Sequence, residues 1–143
     1  VFGSAGDRDR DKRPVMGAIA ARAADVVIVT DDTPHSGGPG PDPCPHPRRA
    51  RAEADRIARE EGRTVVIEEV ADRAAAIRRA VELAGPQDGI LLAGRGHETT
   101  MDYDGELVPL DDRVALREAL AARVAAASAS GSGPAREGKV IES

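Results

Sequence analysis

Asp25-Val26-Val27-Ile28-Val29-Thr30, running directly into Asp31-Asp32-Thr33-Pro34-His35, decides the fold. A continuous β-branched run is what a strand covered on both faces requires, because side chains on either side of the sheet must be apolar. The polar loop it delivers has two companions. Val1-Phe2-Gly3 runs into Gly6-Asp7-Arg8-Asp9, and Gly89-Ile90-Leu91-Leu92-Ala93 runs into Gly94-Arg95-Gly96-His97-Glu98. In an open parallel sheet, loops that follow strands emerge at the carboxyl edge, where ligands bind. Three loops rich in Asp, Arg, His and Glu therefore predict one polar binding site.

The intervening segments supply the helices. The spacing of Val15, Met16, Ile19 and Ala20 predicts a helix to about Ala23, with Pro14 at its first position. Residues 36–47 are crowded with Gly and Pro and read as an irregular loop. Residues 48–61 read as a helix lying exposed on the sheet's flank, since Ala50, Ala54, Ile57 and Ala58 are its main apolar positions; Gly62 is its stop. Residues 63–68 read as a strand. Asp72 then caps a helix lined by Ala76, Ile77, Ala80, Val81 and Ala84, which Gly85-Pro86 ends. Residues 89–93 read as the next buried strand, and residues 101–110 as a hairpin turning at Asp104-Gly105. Asp111 or Asp112 caps a last helix through about Ala127. The Ser/Gly/Ala-rich residues 128–143 read as a disordered tail. The alternation predicts one α/β domain over residues 1–127, a mainly parallel sheet flanked by helices with a small β-hairpin.

With one Phe, one Tyr and no Trp among 143 residues, the core must be built from Ala, Val, Ile and Leu. The net charge of −5, with both signs interspersed, offers no basic footprint for nucleic acid. No apolar run approaches the roughly 18 residues of a membrane span. Cys44 is the sole cysteine, which fits a reducing cytoplasm. The chain opens at Val1, in mid-strand and without an initiator methionine, so it reads as a piece of a longer protein.

Of the three loops, residues 3–8 fit an ordinary strand-to-helix turn and a ligand loop equally well; Arg8 could form a bidentate pair with a carboxylate. Asp31 and Asp32 fit a capped turn or an ammonium-binding pair, and no third ligand specifies a metal. Gly94-Arg95-Gly96-His97-Glu98 is the sharpest of the three. Its paired glycines imply a backbone passing close to something, and Glu98 is a natural acceptor for an amine. His97 on its own more often satisfies a backbone carbonyl than acts in catalysis. Cys44-Pro45-His46 offers two metal ligands at most.

These motifs in this order resemble the C-terminal domain of the Mur ligases, and within them the ligases that add the third residue of the peptidoglycan stem peptide. The resemblance rests on Val1-Phe2-Gly3-x-x-Gly6-Asp7-Arg8-Asp9, Lys12-Arg13-Pro14-x-Met16-Gly17, Ala24-Asp25-Val26-Val27, Thr30-Asp31-Asp32-x-Pro34, Asp72-Arg73-x-x-Ala76-Ile77, Gly94-x-Gly96-His97-Glu98 and Asp111-Asp112-Arg113, over roughly residues 1–123. It implies a Rossmann-like domain of an ATP-dependent amide ligase. In such enzymes the D-glutamyl carboxylate of UDP-N-acetylmuramoyl-L-alanyl-D-glutamate is phosphorylated, and the amine of a diamino acid attacks the acyl phosphate. ATP and Mg are implied mainly on a central domain. Carried over by position, Arg8 would pair with the amino acid's carboxylate, Asp32, Thr33, Pro34 and His35 would form the selectivity motif, and Gly94 and Glu98 would contact the amino acid. Asp31, Arg95 and His97 would support them. No residue of this domain is implied as catalytic.

Two departures qualify what the resemblance implies. Asp32-Thr33-Pro34-His35 stands where diaminopimelate enzymes of the family have Asp-Asn-Pro-Arg, and His35 cannot make the guanidinium fork to a distal carboxylate. Diaminopimelate, lysine and ornithine thus all stay open as the diamino acid. The chain also has no P-loop and lacks the first strand and helix of the family's domain, so alone it is expected to be inactive. A degenerate, non-catalytic binding module is the first alternative, and a related ligase such as a folylpolyglutamate or cyanophycin synthetase the second.

Overall fold

Val26–Val29 and Val66–Glu69 pair in parallel, with Val26 opposite Val66 and Val29 opposite Glu69, and the rest of the sheet grows from this pair. In the computed structural model, which describes residues 1–3, 12–30, 45–103 and 105–130, the elements follow as α1 (Lys12–Ala23), β1 (Val26–Val29), α2 (Pro45–Glu61), β2 (Val66–Glu69), α3 (Arg73–Leu83), β3 (Thr100–Tyr103), β4 (Glu106–Pro109) and α4 (Asp112–Ser130). Phe2 forms parallel bridges to Val29 on one side and Ala93 on the other. Across the sheet the order is therefore 66–69, 26–29, 1–3, 91–93: third, second, first and fourth segments in chain order, all parallel. Backbone bonds from Phe2 N to Ile28 O (3.1 Å), Thr30 N to Phe2 O (3.0 Å) and Ala93 N to Val1 O (3.0 Å) hold the middle together. This is the predicted Rossmann-like sheet, with the antiparallel hairpin β3–β4 beside it.

Alternation along β1 assigns its two faces. Val27 and Val29 join Phe2, Ala21, Ala54, Ile57 and Val65 in one buried cluster with α1 and α2. Ile28, also buried, points to the opposite face, from which α3 contacts β1. Helices thus cover both faces, which is why Val27, Ile28 and Val29 are all apolar, while Val26 at the strand's start stays exposed.

Several expectations are revised. α2 begins at Pro45, inside the stretch read as loop; a proline in the first turn removes an N–H that has no intrahelical partner. α2 does not lie exposed on a flank. Ala50, Ala54 and Ile57, at i, i+4 and i+7, are buried against α1 and the sheet. The facing stripe of α1 is made of Gly17 and Ala21, while Val15, Met16 and Ile19 are exposed. Small residues on both helices let the backbones approach closely, so packing selects small size over hydrophobicity. Pro14 occupies the third position of α1, still within the first turn. Segment 89–93 is not a regular buried strand: it pairs through one bridge, and Leu91 is exposed. α4 continues to Ser130, past the expected boundary at 127. Its alanines favour helix, and Ser128 Oγ donates to Val124 O (3.0 Å), satisfying the hydroxyl in place. The other tail residues lie outside those described.

Charged side chains finish the helix ends. Asp72 caps α3, its carboxylate accepting from Ala75 N at 2.6 Å, as expected. Arg63 donates to the carbonyls of Ala21 (3.2 Å), Arg22 (3.0 Å) and Ala24 (3.2 Å), which the end of α1 leaves without helical partners. Glu53 of α2 accepts from Arg56 Nη2 at 2.8 Å and from Arg22 Nε of α1 at 2.6 Å. These two guanidiniums, Arg56 first, hold its carboxyl at about 2, below its ordinary 4.5. A carboxyl depressed in the folded state adds stability above its unfolded value and loses it as pH falls through its folded one. Acid titration is therefore expected to erode this contribution between pH 4.5 and about 2. Denaturation across that window should show a shallower pH slope for Glu53→Gln than for the parent sequence; equal slopes would remove Glu53 from the account.

Candidate functional site

Segments 1–3 and 91–93 lie side by side, yet the chain leaves them toward different parts of the sheet. Segment 1–3 continues through α1 to β1 on one side, and segment 91–93 sits on the other. This reversal of strand order is a topological switch point, and in open α/β sheets ligands bind in the crevice at its carboxyl edge. Ala93 delivers Gly94-Arg95-Gly96-His97-Glu98 to that edge.

The loop's path depends on its glycines. Gly94 has φ 109° and Gly96 φ 56°, both in the region that L side chains rarely adopt. A Cβ at Gly96 would meet nothing within 4 Å. At Gly96, then, the turn itself calls for glycine, and its open side faces no other described part of the chain. Gly96→Ala is expected to cost about 1–2 kcal/mol, from backbone conformation alone; thermal unfolding that matches the parent would show that this turn relaxes freely. The turn closes with Glu98 N donating to Arg95 O at 3.0 Å.

Within the loop the side chains divide. His97 and Glu98 are exposed, so both can meet a solute. Arg95 is 2% exposed and turned inward. Its Nη1 donates to Leu110 O (3.2 Å) and its Nη2 to Thr100 O, tying the loop to both ends of the hairpin. Arg95 thus braces the loop from beneath. The remaining expected site residues, Arg8, Asp31, Asp32, Thr33, Pro34 and His35, lie outside the described residues, as does Cys44.

Sequence reasoning overlooked the buried pair under this loop. Arg73, at the start of α3, donates from Nε to Asp112 Oδ1 (2.8 Å) and from Nη2 to Asp112 Oδ2 (2.6 Å) at the start of α4. Nη2 also donates to Ala93 O (3.0 Å), the carbonyl just before Gly94. One guanidinium thereby locks α3, α4 and the strand end that launches the loop. Asp111, not Asp112, caps α4: it accepts from Arg113 N at 2.9 Å. The guanidinium of Arg113 also holds the Asp111 carboxyl well below the usual carboxylate range. The signal in the sequence was an Asp-Arg and an Asp-Asp-Arg at helix starts, but nothing local tells a buried arginine from a solvated one.

Among the described residues no three His, Cys, Asp or Glu side chains gather as a metal site, and no helix is long and apolar enough to cross a membrane. What the described loop can do is present one exposed carboxylate, on a braced backbone, to a cationic group at the sheet's switch point.

Comparison with known proteins agrees with this geometry. The family model described as "Mur ligase, glutamate ligase domain" matches residues 1–96. A UDP-N-acetylmuramoyl-L-alanyl-D-glutamate--2,6-diaminopimelate ligase of Bradyrhizobium diazoefficiens is 46% identical over 125 residues, covering 87% of this chain and 23% of that protein. Ligases of the same name from Corynebacterium efficiens and Synechococcus elongatus are each 47% identical, over 84% and 88% of this chain. A solved structure of a protein with this name superposes with a TM-score of 0.63 at 31% identity, covering 86% of this chain and 24% of the other. The chain spans about a quarter of the length of the curated relatives it matches. With its fold, its switch-point loop and two thirds of its length matched, the chain belongs to the Mur ligase family and carries that family's glutamate ligase domain.

Proposed function

We propose that this domain binds the incoming diamino acid in an ATP-dependent ligase that joins 2,6-diaminopimelate to UDP-N-acetylmuramoyl-L-alanyl-D-glutamate. The observation that carries the reading is the placement of Gly94-Arg95-Gly96-His97-Glu98 at the switch point, with Glu98 exposed, in a chain whose relatives are named for that ligation. An amino acid is a zwitterion, so its site needs a cation for the carboxylate and an anion for the ammonium. Glu98 meets the second need, and Arg8 is assigned the first. The relatives' names favour diaminopimelate over lysine and ornithine, and Asp32, Thr33, Pro34 and His35 are assigned to the selectivity motif.

The chain has no P-loop, and no carboxylate cluster gathers among the described residues. ATP and Mg are assigned mainly to a central domain of the full-length protein, as the resemblance implies, and the cytoplasm is its expected location.

The test is ligation by the full-length protein, with diaminopimelate, lysine and ornithine competing for UDP-N-acetylmuramoyl-L-alanyl-D-glutamate in the presence of ATP. Diaminopimelate is expected to dominate the product. Preference for lysine or ornithine would show that His35 in place of arginine resets the specificity, and absence of any product would favour a non-catalytic binding module.

A further inference from the structure

Arg95 combines three observations that a purely structural residue does not need. Its side chain is almost wholly buried, yet Nε has no hydrogen-bond partner among the described residues. That same Nε faces Glu98 Oε2 at 3.6 Å. Its Nη1 lies 3.9 Å from Asp112 Oδ1, a carboxylate already engaged twice by Arg73. Two guanidiniums share one buried carboxylate, which leaves a buried positive charge to offset. Glu98 is the other carboxylate within 4.0 Å of Arg95 among the described residues.

We infer that Arg95 is a positioning residue that acts through Glu98, fixing the carboxylate that receives the amino acid's ammonium group. The inference rests on the amino-acid-binding reading of this loop. Oε2 faces the orphaned Nε, which leaves Oε1 free for a ligand. Because Nη1 and Nη2 are held by the carbonyls of Leu110 and Thr100, the guanidinium plane cannot follow Glu98 as it moves. Orientation is thereby passed from the hairpin to the exposed carboxylate. Lysine would keep the charge but not the fork: a single ammonium cannot reach two carbonyls and face a carboxylate in one plane.

The experiment is a double-mutant cycle in the full-length protein, using Arg95→Lys, Glu98→Ala and both together, with Arg95→Gln as a second variant should the lysine protein fail to fold. Arg95→Lys is expected to raise KM for the diamino acid about tenfold, the scale of one misplaced charge-assisted hydrogen bond. KM for ATP and for the UDP-linked dipeptide should be unchanged. In the Glu98→Ala background the same change should have no further effect on the diamino acid KM. Equal effects in both backgrounds, or an unchanged KM in the single variant, would overturn the inference.

Hydrogen exchange on the same proteins separates this from the functional reading. The Glu98 amide should exchange about tenfold faster in Arg95→Lys while α1 and α2 are unaffected. If the parent ligates no diamino acid, the functional reading fails, and exchange alone decides: faster at Glu98 supports the positioning role, and no change overturns it.

Discussion

Replacing Asp112 with alanine is expected to destabilise the fold by about 3–5 kcal/mol, the usual cost of stranding one partner of a buried ion pair. Arg73 has no exposed surface, and both of its bonds to Asp112 would vanish while its charge stayed in place. Its Nη1 already has no partner among the described residues, so the remaining contact would be Nη2 to Ala93 O. Removing both charges in Arg73→Met/Asp112→Leu should recover most of the loss, because an apolar pair of similar volume carries no desolvation penalty. Urea denaturation of the three variants measures this. A loss below about 1 kcal/mol for Asp112→Ala, a value typical of exposed pairs, would mean that Arg73 finds water or another acceptor.

Ile57→Ala should rank next, at about 2–5 kcal/mol, the range for truncating a fully buried aliphatic side chain. Ile57 is 0% exposed, between α1 and the sheet, in a core whose other members are mostly small. Neighbouring alanines have little side chain with which to fill the void, so the cavity term should be near its full size. Ile19→Ala is the matched control. It is 55% exposed on α1, and its loss should change stability by no more than about 0.5 kcal/mol. Similar losses for the two variants in thermal unfolding would mean that the outer face of α1 is covered in solution.

That contrast shows where sequence reading stops. In α1, periodicity pointed to Val15, Met16, Ile19 and Ala20, of which only Ala20 packs, partly buried, against the core, whereas the fully buried stripe is Gly17 and Ala21. A hydrophobic pattern identifies a helix but not which face its neighbour covers when the contact is made by glycine and alanine. The error on α2 has the same origin: Ala50 and Ala54 looked too weak to bury, yet small size is what lets the two helices meet. Segment 89–93 read as a buried strand from its composition, but pairing depends on neighbours that composition does not include.

By itself the sequence determined the α/β alternation, the two-sided burial of Val27, Ile28 and Val29, the Asp72 cap, the hairpin around Gly105, and the family to which the loops belong. Each of these is local: a run, a spacing or a residue with one permitted backbone role. Only the tertiary structure decided that Phe2 bridges Val29 and Ala93, creating the switch point, and that Arg73 and Asp112, 39 residues apart, form one buried pair. It alone separated Arg95 from His97 and Glu98, turning one side chain inward and two outward. Burial and charge pairing are properties of what surrounds a residue, and distant parts of the chain supply those surroundings only once it has folded.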